Sequence, residues 1–197
     1  MFGYQAIQAE VTTFLRIAAE CDPARPDEPK VLIEANGLAL RHPSGELKAE
    51  GPVVAMLNGR RFELQPTVLS GLDSRVEAEA VYDPGSDLTN GRIRALIAPP
   101  VVKLLPVPVQ VDGSIQVEAD FRAPAALHEW QDGAVGLLKI DHRGGTISMR
   151  DPPLQIQDLE IDAIYDRNGL SINDGRATVN RGTVEIGGGW SPETGQG

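Results

Sequence analysis

Three histidines, His42, His128 and His142, are the first residues to test for chemistry. They lie in separate segments, with no i,i+4 spacing and no cysteine beside them. A metal needs three or four converging ligands, and this spacing supplies none, so all three read as surface or turn residues. Cys21 is the single cysteine, which rules out an internal disulfide and a zinc framework. No flanking cation or helix start would activate its thiol, so it reads as a small, semi-buried side chain. Carboxylates occur at Asp141, Asp158 and Asp162, but a solvated strand face already accounts for them. Gly187-Gly188-Gly189 lacks the strand-then-helix context of a phosphate loop and reads as a bend or bulge. No G-x-S-x-G elbow occurs. Trp130 and Trp190 stand beside turns, where they could cap the sheet ends or offer a carbohydrate platform. The sequence thus supplies no catalytic residue, no metal ligand and no cofactor motif.

The elements that would position any site are short. The chain has 197 residues, and 21 Gly with 15 Pro leave little room for long helices. Hydrophobics make up 41% and aromatics 5%, enough for a core and too apolar for wholesale disorder. A net charge of −10, with no basic cluster to track phosphates, argues against nucleic acid as a partner. Residues 1–20 carry Glu10 and Arg16 and show no signal-peptide pattern. The longest apolar stretch, Leu96 to Val111, is broken by Lys103 and four prolines, so it does not span a bilayer.

Turn signals are dense. Asn-Gly occurs at 36–37, 58–59, 90–91 and 168–169, and Asp-Gly at 112–113, 132–133 and 174–175. Both dipeptides tolerate the positive φ of tight hairpin turns. The segments between them, roughly 6 to 12 residues long, have the rhythm of an all-β meander. They also alternate. Val76, Ala78, Ala80 and Tyr82 interleave with Arg75, Glu77 and Glu79. Ile115, Val117, Ala119 and Phe121 interleave with Ser114, Gln116, Glu118 and Asp120. Period two describes a sheet with one apolar and one wet face. Residues 5–20, with Val11, Leu15 and Ile17 on one side, read as a strand, with a helix as the competing assignment. Three stretches break the pattern: a charged, Pro-rich loop at 22–30, a Pro-rich crossover at 98–108 with a helical turn over Val101 to Leu105, and a frayed tail at 191–197.

Roughly 16 strands can be drawn, and at about 4.8 Å apart they would make a sheet of order 75 Å across. A sheet that wide must close, split or curl. Its apolar positions are mostly Val, Ile, Leu and Ala, which suits a smooth trough for flexible hydrocarbon. An ordinary β-sandwich, whose apolar face is simply its core, fits the same composition. An enzyme using a carboxylate pair has the least support, since no acid/base pair stands out.

Several stretches resemble a known family. Gly45-Glu46-Leu47-Lys48-Ala49-Glu50-Gly51-Pro52 is one, followed by Leu57-Asn58-Gly59-Arg60-Arg61-Phe62-Glu63-Leu64 and by Val111 to Phe121. Gly145-Thr146-Ile147-Ser148-Met149 then leads into Pro153 to Ile161, with Asp166 to Ile172 and Arg181 to Gly188 following. Across most of residues 31–190 this cadence resembles TamB-type translocation and assembly module proteins of the AsmA-like superfamily. The resemblance implies an all-β chain, a long antiparallel meander rolled into an elongated β-taco or open groove. It implies a single β-groove segment over 1–197, an interior piece of a periplasmic protein anchored in the inner membrane outside this chain. It further implies phospholipid acyl chains as cargo and an outer-membrane barrel of the TamA/BamA type as partner. The function implied is lipid transport between membranes and outer-membrane protein assembly. The alternative is a structural or protein-binding β-sandwich with no lipid role.

Carried onto this sequence, the expected groove lining is Ile93, Ala95, Ile97, Ile115, Val117, Ala119, Phe121, Ile147, Met149, Leu154, Ile156, Ile161, Ala163, Ile172, Val179, Val184 and Ile186. Glu77, Glu79, Glu118, Asp120 and Asp162 would form the wet exterior.

Overall fold

A computed structural model describes residues 10–43, 45–86, 88–102, 109–124, 134–149, 153–166 and 168–190. Period-two patterning produces what it should. The strands are β1 (Glu10–Asp22), β2 (Arg25–His42), β3 (Gly45–Ala49), β4 (Val53–Asn58), β5 (Arg61–Gly71), β6 (Ser74–Asp83) and β7 (Leu88–Ile97). After a single helical turn, α1 (Pro99–Val102), come β8 (Val109–Asp112), β9 (Ile115–Ala123), β10 (Val135–His142) and β11 (Thr146–Met149). The chain continues through β12 (Leu154–Asp166), β13 (Gly169–Val179), β14 (Gly182–Glu185) and β15 (Gly188–Trp190). All 15 strands join one antiparallel sheet that does not close into a barrel. β1 forms one edge, and β13 with the short β14 and β15 forms the other.

Several long strands are broken in the middle. β3 and β4 both pair with β2 and β5, and run on from one another across Glu50-Gly51-Pro52. In the same way β10 and β11 both pair with β12, interrupted at Gly144-Gly145. Further register shifts fall between Leu64 and Thr67 and between Gln157 and Glu160, where Asp158 takes φ 49°. Each inserts an unpaired residue that bends its strand and raises the local twist, so a sheet this wide need not stay flat.

The turn chemistry divides unevenly. Asn58-Gly59 and Asn168-Gly169 do stand at hairpin ends. Asn36-Gly37, Asn90-Gly91 and Asp174-Gly175 instead lie inside β2, β7 and β13, and Asp112-Gly113 marks the break between β8 and β9. Asp132-Gly133 lies outside the described residues. Two tight turns carry no such signal: Leu72-Asp73 joins β5 to β6, and Asn180-Arg181 joins β13 to β14. All four residues have positive φ, the geometry whose twist matches the flanking strands.

The Pro-rich loop expected at 22–30 shrinks to Pro23-Ala24, closed by the Ala24 amide donating to Asp22 Oδ1 at 2.9 Å. Arg25 already belongs to β2. Pro26 and Pro29 fall between the Asp22↔Arg25 and Glu20↔Lys30 pairs, where β2 has no partner on β1. A proline there costs no ladder bond. The crossover does form a helical turn, α1, in which Val101 and Val102 amides donate to the Ala98 carbonyl. It starts two residues earlier than expected; 103–108 and the tail 191–197 lie outside the described residues.

Candidate binding face

Cross-strand register turns local alternation into a continuous surface. Ile17 pairs with Ile33, Ile33 with Ala55, Ala55 with Leu64 and Leu64 with Ala80. The row continues through Gly91, Phe121, Gly136 and Tyr165 to Leu170. Opposed residues in a ladder point to the same side, so these ten strands place one apolar or glycine residue each along a single line. A parallel row runs Ala49, Leu69, Val76, Ala95, Val117, Ile140, Ile161 and Gly175.

The seventeen expected lining residues all fall on this face. Ile93, Ala95, Ile97, Ile115, Val117, Ala119 and Phe121 meet on β7 and β9. Ile161, Ala163 and Ile172 extend the rows across β12 and β13. Ile147, Met149, Leu154, Ile156 and Val179 form the patch beyond the break at Gly144-Gly145. Val184 opposes Ala177, and Ile186 lies over Gly175, to whose carbonyl its amide donates at 2.8 Å. The register also brings in Leu15, Ile17, Ile33, Ala55 and Leu64, absent from the expected lining. The alternation of residues 5–20 carried that signal, but only pairing shows that it joins the same row.

This face is not packed like a core. The buried hydrophobics among the described residues are Ala39, Leu47, Ala98, Val102, Ala123, Ala163 and Ala177, five of them alanines. A sandwich interior would bury its large side chains; here Phe121 keeps 36% of its surface, Ile93 41% and Ile17 60%.

The opposite face carries the ion pairs, where the usual rule is a base between acids, reversed at Glu46 between Arg41 and Lys48. It also exposes Phe14, Leu96, Val135 and Leu137 among the charges. Arg92 pairs with Glu79 at 3.7 Å and Asp120 at 2.6 Å. Arg75 bridges Glu50 at 2.5 Å and Glu77 at 2.9 Å. Arg94 and Lys139 pair with Glu118 and Asp162. The hydrogen bond Arg75 donates to Glu77 is the largest influence raising it above the usual arginine range; desolvation opposes this and Glu50 adds to it. Asp120 does the same for Arg92. A raised cation is stabilising below its normal pKa and loses that contribution only above its folded one, so these arginines stay charged until strong alkali. Ladders of this kind keep a wide sheet soluble on one side only.

Two side chains differ from expectation. His142 is completely buried at the break between β10 and β11, where its Nε2–H donates to the Asp112 carbonyl at 2.8 Å. Nδ1 has no hydrogen-bond partner. Cys21 is exposed rather than semi-buried, near the end of β1, the edge strand among the described residues. His128 and Trp130 lie outside the described residues. No cluster of three or more metal-ligating side chains occurs among the described residues, and no helix of theirs is long and apolar enough to cross a membrane.

The chain matches no protein-family model, no curated protein and no solved structure.

Proposed function

We propose that this chain is a lipid-shielding segment of a TamB-like bridge, whose aliphatic face solvates phospholipid acyl chains during transport between membranes. One observation carries the reading: an apolar row crosses ten strands while Ile17, Phe121, Tyr165 and Leu170 on it stay exposed. Exposed apolar patches of this extent mark binding surfaces in soluble proteins. Each methylene laid against such a surface contributes about 0.8 kcal/mol, without needing any polar handle. Aliphatic side chains and glycines give low relief, which suits flexible tails better than a rigid ligand. The cadence shared with TamB-type sequences supports the same reading. It adds a periplasmic setting, an anchor outside this chain and docking to an outer-membrane barrel of the TamA/BamA type. The role involves no bond-making chemistry.

The test is organic extraction of the full chain purified without detergent from a Gram-negative host. Phospholipid at a reproducible molar ratio is the expected result. A lipid-free chain that also fails to take up a fluorescent fatty acid overturns the reading.

A further inference from the structure

β1 is a long edge strand left almost wholly to solvent. Every residue from Glu10 to Asp22 except Thr12 is exposed, and Phe14 keeps 78% of its surface. Its inner side pairs with β2, without interruption from Phe14↔Asn36 to Glu20↔Lys30. Over residues 14–20 no strand among the described residues pairs with its outer side, which makes it a template for another strand. Proteins usually blunt such an edge with bulges, prolines or inward charges, and residues 14–20 contain no proline and no bulge.

We infer that β1 pairs with β1 of a second copy, antiparallel across a two-fold axis centred on Ala18. Charge and the uninterrupted stretch from Phe14 to Glu20 together select this partner and register. Axes at Thr13 or Ala19 would also set Arg16 opposite an acid, Glu10 or Asp22, but those acids lie beyond the register shifts at Thr12/Phe14 and Glu20/Asp22. Opposed residues face the same side, so apolar positions stay together only when the axis passes through a residue. An axis at Arg16 would oppose two arginines, and one at Leu15 would oppose Glu10 to Glu20. An axis at Ile17 leaves Arg16 opposite Ala18. The axis at Ala18 sets Arg16 directly opposite Glu20 of the second copy, twice by symmetry, and Ile17 opposite Ala19.

That register also extends the rule of the ionic face. Within one copy Arg16 already pairs with Glu34 at 3.3 Å, and Glu20 lies opposite Lys30. The joined ladder would read Lys30, Glu20, Arg16, Glu34 across two copies, a base between acids as at Glu79, Arg92 and Asp120. On the other side Ile17 meets Ala19, which opposes Val31 on the apolar face of the second copy. The far edge of the sheet does not suit β1: β14 has four residues and β15 three, too short to match it. Self-pairing therefore closes at two copies rather than growing into a filament. The surface is the hydrogen-bonding edge, not the apolar face, so it stands apart from the lipid reading.

Sedimentation velocity of the full chain over a wide concentration series should show a monomer–dimer equilibrium. Arg16→Glu and Glu20→Arg should each weaken it by about tenfold, and the double swap Arg16→Glu/Glu20→Arg should restore it. Both positions are exposed, and circular dichroism checks that the variants fold. In a Cys21→Ser background, Ala18→Cys should cross-link under oxidation, since directly opposed Cα atoms lie within disulfide reach. Ile17→Cys should not, because its copies are offset along the strands. A monomer at every concentration, a dimer indifferent to the charge reversals, or cross-linking at 17 in preference to 18 would overturn the proposal.

Discussion

The Phe121 ring lies across the backbone of Gly91, its directly opposed neighbour on the next strand. A methyl group at position 91 would occupy space the ring already fills. On its other side Phe121 opposes a second glycine, Gly136. This aromatic of the central row thus lies down over a gap instead of standing up from the face. A glycine in a strand interior is weak by itself, and an aromatic laid over it restores contact.

Gly91→Val should therefore destabilise the chain although valine is the better strand former. Displacing the ring costs about 1–3 kcal/mol by urea denaturation. Combining it with Phe121→Ala should cost less than the sum of the two single changes, because one clash underlies both. Additive costs would mean the ring and the glycine are uncoupled.

Asn180-Arg181 turns with φ 47° and 76°, and Arg181 is an exposed residue in the left-handed region. The turn is docked by the Gln155 amide donating to Asn180 Oδ1 at 3.0 Å and the Asn180 amide donating to the Gln155 carbonyl at 3.0 Å. Arg181→Gly completes an Asn-Gly pair in the geometry that pair prefers. It should raise stability by about 1 kcal/mol, read as a higher denaturation midpoint at unchanged slope. A lower midpoint would contradict the assigned turn.

The repeating part of the fold was legible because it is local. Alternation in Val76 to Tyr82 and Ile115 to Phe121 states strand and face together, and the structure has both. Turn identity was less legible. Leu72-Asp73 carries no glycine, and its positive φ values are imposed by the Gly71↔Ser74 pair that closes the hairpin. Asn90-Gly91 reads as a turn in sequence, yet Phe121, thirty positions away, needs that glycine inside a strand. The burial of His142 was equally hidden, since its partner, the Asp112 carbonyl, stands thirty positions away and is reached only across the sheet. Of the apolar face, the C-terminal rows were readable and the N-terminal ones were not, because a row exists only once register is set.

At His142 the hydrogen bond to Asp112 and the orphaned Nδ1 act in opposite directions. His142→Leu removes both while filling most of the volume, so it should change stability by less than about 1.5 kcal/mol. His142→Ala should cost about 2–5 kcal/mol through the cavity it leaves. Equal losses for the two, measured by thermal or urea unfolding, would assign the residue a polar role instead of a space-filling one.

The central claim is that one face of this sheet, and not the other, holds hydrocarbon. Val117 and Gln116 are consecutive residues of β9 on opposite faces, so Val117→Asp and Gln116→Asp add the same charge to the same strand. Lipid extracted from equal amounts of the two folded variants is the direct measurement. The account predicts that Val117→Asp loses most of its bound phospholipid while Gln116→Asp retains the wild-type ratio. Equal lipid in both variants would contradict it.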